Sequence, residues 1–141
     1  MSKKNLKIIS HPADTGIEVK AKNLKELFKL ALTGLNATIF ERPELVKVIE
    51  EKKIEIKGED PKELLVNFLT EVLIYLDSER FIVREVEFKN ICEKKLEAVL
   101  RGGEVDLDKM GFITEIKAIT YHQLKVEKRE GEWFARVIFD I

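Results

Sequence analysis

"EDPKELLVNFLTEVLIYLDSE" occupies residues 59–79 and decides the fold. Asp60 stands where a helix N-cap is expected, Pro61 fills the first helical position, and Glu63 follows three residues after the cap. Beyond that start, Leu64, Leu65, Phe68, Leu69, Val72, Leu73, Tyr75 and Leu76 put apolar side chains on more than one helical face. A helix with a single apolar stripe lies on the outside of a domain, whereas wider apolar coverage means burial on several sides. The spacing predicts a central helix contacting two layers.

Working outward, a second helix is predicted in "NLKELFKLALTGLNATIF" (23–40). There Leu24, Leu27, Phe28, Ala31 and Leu35 recur at helical spacing behind Asn23, a candidate N-cap. The flanking segments switch to period two. "LKIIS" (6–10) and "GIEVKAK" (16–22) read as strands, the latter setting Ile17, Val19 and Ala21 against Glu18, Lys20 and Lys22. A turn is expected at Pro43 and a strand around Lys53–Lys57. Three more strands are expected in "FIVREVEFKN", "EKKLEAVLRG" and the segment around "IKAITY". The chain then closes as a hairpin, "YHQLKVEKREGEWFARVIFDI" (121–141), with Glu130-Gly131 near its turn. The sum is an α+β domain with two helices packed on largely antiparallel sheet. Each half opens like a βαβ unit, which points to an internal duplication.

The 141 residues suit one compact domain spanning 1–141. Lys and Arg total 25 against 26 Asp and Glu, so no global basic field draws in nucleic acid. A single cysteine, Cys92, excludes an intrachain disulfide framework and multi-cysteine metal sites, and reads as a small buried hydrophobe. No apolar run approaches the ~18–20 residues of a membrane span, and "MSKKNLKIIS" reads as a first strand rather than a signal peptide. A cytoplasmic protein is expected.

No G-x-S-x-G, phosphate loop, H-E-x-x-H or Cys-x-x-Cys pattern is present. Three clusters carry polar groups of interest. In "SHPADTGIEV" (10–19), Asp14 reads either as a turn residue bonding nearby N–H groups, with His11 at the surface, or as a metal ligand. In "FDI", Asp140 lies beside the main-chain carboxylate of Ile141, and like charges this close repel unless a cation or donor compensates. If that end packs near Asp14, three carboxylates meet, and Ca²⁺ or Mg²⁺ takes oxygen ligands of this kind. In "GGEVDLDKMGFITEIKAITYH" (102–122), Lys117 sits in an apolar run, where base rates favour a solvent-facing ammonium over a buried one. Trp133 and Phe134 read as packing within the hairpin.

These clusters together resemble the archease family. "HPADTGIEVKAKNLKELF" is similar to its H-T-A-D-x-G-[IV] opening, and "DPKELLVNFLTEVLIYLDSE" to its long L-L-x-x-[FW]-L-x-E-[LV]-[LI] helix. "GEVDLDKMGFITEIKAITYHQLKVEK", followed by "EWFARVIFDI", is similar to its E-[IV]-K-A-[VI]-T-Y-H segment and V-x-[FL]-D-[IV] ending. Pro12 departs from the usual Thr, and Met110 from a common His. The resemblance implies one small α+β unit inserted in a similar one. It also implies a non-enzymatic activator of the GTP-dependent RtcB-type RNA ligase in tRNA splicing and RNA repair, promoting ligase guanylylation and multiple turnover. tRNA would be met only through the ligase. The implied metal site is Asp14, Asp140 and the main-chain oxygens of Ile141, holding a divalent cation, Ca²⁺ first and Mg²⁺ or Mn²⁺ otherwise. Lys117, His11 and His122 would contact the partner or phosphate. The alternatives are a chaperone or binding module for RNA-modifying enzymes, and a metal-dependent phosphoester hydrolase.

Overall fold

The computed structural model describes residues 5–10 and 14–141. In chain order the elements are β1 (Leu6–Ser10), β2 (Asp14–Ala21), α1 (Leu24–Ile39), β3 (Glu50–Lys57), α2 (Pro61–Glu79), β4 (Phe81–Ile91), β5 (Lys95–Glu104), α3 (Leu107–Met110), β6 (Ala118–Ile119), β7 (Lys125–Arg129) and β8 (Glu132–Asp140). Pro43–Leu45 forms one 3₁₀ turn. The strands make two sheets. One runs β1-β2-β8-β6, with β7 also paired to β8, and the other runs β3-β5-β4. Every pairing is antiparallel.

Local chemistry sets both long helices. The Asn23 side chain accepts the Glu26 N–H at 2.9 Å, and Asp60 accepts the Glu63 N–H at 2.9 Å. Glu63 reaches back to the N–H of Glu59, 3.1 Å away, one residue before the cap. The α2 helix ends at Arg80, whose left-handed φ of 52° turns the chain directly into β4. At the other end of the chain, Glu130 (φ 49°) and Gly131 (φ 82°) form the two-residue turn between β7 and β8. Positive φ at both positions gives the backbone twist that a tight hairpin needs.

The two sheets share one topology. In β3-α2-β4-β5 the last strand lies between the first two. In β2-α1-β6-β8 the last strand again lies between its partners. The second unit interrupts the first between α1 and β6, so an inserted unit repeats the plan of its host. Both helices are sandwiched, with α2 touching β3 and β4 of one sheet and β6 and β7 of the other. Phe28 of α1, Phe68 of α2 and Phe88 of β4 meet where the units join, with ring centroids 5.6, 5.8 and 6.3 Å apart. Offset and edge-on rings of this kind add to the burial term.

Two expectations need correcting, the length of one strand and the burial of Cys92. The "IKAITY" strand shrinks to Ala118–Ile119. Its lead-in bonds to several partners in turn rather than to one ladder. Phe112 bridges Phe40, the Ile113 N–H donates to the Ile39 carbonyl, and the Lys117 N–H donates to the Asp140 carbonyl. A third, single-turn helix forms at Leu107–Met110, capped by Asp106. Cys92 is exposed, on the β4–β5 connection, and not a core residue.

On the outer face of the smaller sheet, Glu87 of β4 accepts from Lys89 (2.8 Å) and from Arg101 of β5 (2.7 Å). These two donors, Lys89 first, lower its carboxyl to about 2. A depressed carboxyl contributes stability above its unfolded pKa, and that contribution disappears as pH falls through the folded one. Glu87→Gln is therefore expected to have a lower melting temperature than the parent at neutral pH. The gap should close as pH drops from about 4.5 towards 2. A gap of equal size at pH 7 and pH 2 would rule out this origin.

Candidate functional site

Asp14 opens β2 and Asp140 closes β8, and the antiparallel register sets them directly opposite one another. The alternation that buries Ile17, Val19, Val137 and Phe139 fixes this register, because a slip of one residue would turn those side chains to the other face. On its other side Asp140 is opposite Ala118 of β6, and its carbonyl accepts the Lys117 N–H at 2.7 Å. Thr120 doubles the anchorage, giving both its N–H (3.0 Å) and its hydroxyl (2.9 Å) to the Ile138 carbonyl. Ile141 is half-buried and packs its side chain on the core.

Asp14 Oδ1 is buried with no hydrogen-bond partner. Neither Asp14 nor Asp140 takes part in an ion pair among the described residues. A buried acceptor left unpaired costs about 1–3 kcal/mol, more when charged, and a second carboxylate across the ladder adds repulsion. Carboxylate and main-chain oxygens are the donors that a hard divalent cation takes. Among the described residues no group of three or more His, Cys, Asp and Glu could hold a metal. Main-chain oxygens are among the donors that could complete such a site.

Lys117 is exposed, as its base rate suggested, and reaches the cluster through its backbone. His122 is exposed and its N–H donates to the Thr120 hydroxyl at 3.2 Å. His11, with Pro12 and Ala13, lies outside the described residues. Sequence reasoning missed Thr120, although its place between Ile119 and Tyr121, two residues past Ala118, was readable. It also missed the Arg136 clamp, in which the guanidinium donates to Glu18 at 2.6 Å and Gln123 at 2.8 Å across three segments.

Residues 7–141 match the model of the Archease protein family (MTH1598/TM1083). The chain belongs to the archease family. Protein archease of Pyrococcus abyssi is 38% identical over 135 residues, covering 93% of this chain and 94% of its own. The archease of Methanopyrus kandleri is 33% identical over 136 residues, covering 94% and 96%. The solution structure of Methanobacterium thermoautotrophicum protein 1598 superposes with a TM-score of 0.80 at 27% identity, over 98% of this chain and 99% of that one. A Thermotoga maritima crystal structure, described as an "archease, possible chaperone", shares the fold at 23% identity and a TM-score of 0.62, over 96% of each chain. The α+β archease architecture, with helices on antiparallel sheets, is thereby established. No helix among the described residues is long and apolar enough to cross a membrane.

Proposed function

We propose that this archease is a protein cofactor, not an enzyme, that activates a GTP-dependent RtcB-type RNA ligase in tRNA splicing and RNA repair. The whole chain, residues 1–141, acts as one archease-like domain in the cytoplasm. The observation that carries the reading is the buried, unpartnered Oδ1 of Asp14 opposite Asp140. Asp14, Asp140 and the main-chain oxygens of Ile141 hold a divalent cation, with Ca²⁺ favoured and Mg²⁺ or Mn²⁺ compatible with all-oxygen donors. Such an ion supplies positive charge that attracts and orients triphosphate oxygens. The chain itself positions the carboxylates through the β2–β8 register and keeps Lys117 exposed beside them, available to a phosphate or to the partner. His122 is exposed on the next turn and suits the same task, as does His11 by sequence. RNA is engaged through the ligase, in line with the near-neutral charge of the chain.

The second reading is a chaperone or binding module for RNA-modifying enzymes. The description of the T. maritima member favours it, as do large exposed apolar residues such as Phe112 and Ile113. Multiple-turnover joining of a split RNA separates the two. With the ligase of the same organism, substoichiometric amounts of this protein are expected to raise the number of turnovers well above one per ligase. If a ligase proven competent gains no turnover, activation is excluded and the chaperone reading takes its place.

A further inference from the structure

Two adjoining cavities of about 510 and 240 Å³ share Arg80, Val105 and Leu107 in their walls. Their rims gather apolar side chains that solvent does not favour. Ile49 is 73% exposed, Phe112 54%, Leu45 48% and Leu107 44%, with Ile113 next to Phe112 at 53%. Singly exposed apolar residues are ordinary, but a cluster around a concavity marks an interaction surface.

The charges select the occupant. The two cavities are lined by five carboxylates against three cations. Asp77, in the last turn of α2, and Glu115 stand together on the smaller cavity, and neither forms an ion pair among the described residues. Burial pushes the Asp77 carboxyl upward, and the neighbouring Glu115 carboxylate pushes it further. Asp77 also faces the negative end of its own helix dipole, since the last turn of α2 holds no basic residue. A cation placed between the two would relieve all three penalties. A polyphosphate backbone would meet the opposite, and two copies of this chain docked through this face would set acid against acid.

We propose that this groove is the docking site for a partner-protein segment that inserts an apolar side chain beside Phe112 and sets a Lys or Arg between Asp77 and Glu115. The inference deepens the ligase reading and rests on it, the segment belonging to the ligase. Position supports the assignment. The stretch from Phe112 to Lys117 leaves the groove wall, pairs with the end of α1 through Ile113, and delivers Lys117 to the Asp140 carbonyl.

The test measures affinity of the full chain for the ligase of the same organism, together with stimulation at saturation. The double variant Asp77→Lys/Glu115→Lys and, separately, Phe112→Ala are expected to weaken binding about tenfold or more. Saturating amounts should restore full stimulation, since the carboxylate site is untouched. Glu55→Lys/Glu97→Lys, an equal charge change on the β3-β5-β4 sheet, should leave affinity unchanged. Binding of either groove variant within twofold of the parent overturns the proposal while leaving the ligase reading intact. Absence of any parent–ligase association overturns both. A parent that runs as a dimer, converted to a monomer by Asp77→Lys/Glu115→Lys, would assign the groove to a second copy instead. Retention of RNA by the parent and its loss in Phe112→Ala would also count against a protein segment.

Discussion

Gly102→Ala is expected to destabilise the fold by more than about 4 kcal/mol and to lower the melting temperature by roughly 10 °C or more. Gly102 is in β5, paired with Glu50 of β3 on one side and Val83 of β4 on the other. The pairing of β4 with β5 slips between Val83 and Glu85, beside this position. A Cβ at position 102 would lie 1.9 Å from the Ile82 carbonyl oxygen and 3.1 Å from the Phe81 ring. The obstructing atom is main chain in the middle of a sheet, so no rotamer change makes room. β4 and β5 must part there, and the Val83–Gly102 pairing goes with them. A loss of this size is a large share of the ~5–15 kcal/mol that holds a domain folded. Thermal unfolding followed by circular dichroism decides the matter. A midpoint within about 3 °C of the parent would mean that the irregularity relaxes without difficulty.

Asp14→Asn is expected to reduce RNA joining to the level of the ligase alone while the protein stays folded. The amide keeps the shape of the carboxylate and removes its charge, so the β2–β8 ladder has no reason to change. Without divalent cations the variant should melt at or above the parent's temperature, because repulsion from Asp140 is gone. Adding Ca²⁺ should raise the parent's midpoint, since an ion that binds only the folded state contributes about 2.7 kcal/mol at a hundredfold excess over its dissociation constant. The variant should show no such rise. This thermal readout is independent of the ligase. A variant that keeps both the Ca²⁺ response and full stimulation would refute the assignment of Asp14 to the metal.

Much of the fold was legible because helices and alternating strands are specified locally. Asn23 and Asp60 bond as caps, the apolar spread of α2 meets a sheet on each side, and Glu130-Gly131 makes its turn. What escaped depends on distant chain. "IKAITY" has β-prone residues, yet only two of them find a ladder, because the backbone before them bonds to α1 and to β8 in succession. Gly102 reads as an ordinary glycine until the irregularity of β4 lies across it. Cys92 was assigned to the core on residue type alone and lies on an exposed connection. The site divides in the same way. Asp14 and Asp140 were singled out by their neighbours in sequence, but only strand order brings them face to face. The Asp77–Glu115 pair joins a helix end to a loop and left no local signal.

The β2–β8 pairing also has a consequence for synthesis of the protein. β2 emerges from the ribosome early, whereas its neighbour β8 is made only after the whole inserted unit. In the interval the β3-α2-β4-β5 unit has its strands complete and can collapse, while β2 has only β1 beside it. Asp14 and Asp140 therefore come together as β8 closes the sheet. A chain broken off at any earlier point carries one carboxylate without the other. The two carboxylates thus face one another only in a chain whose synthesis has passed β8.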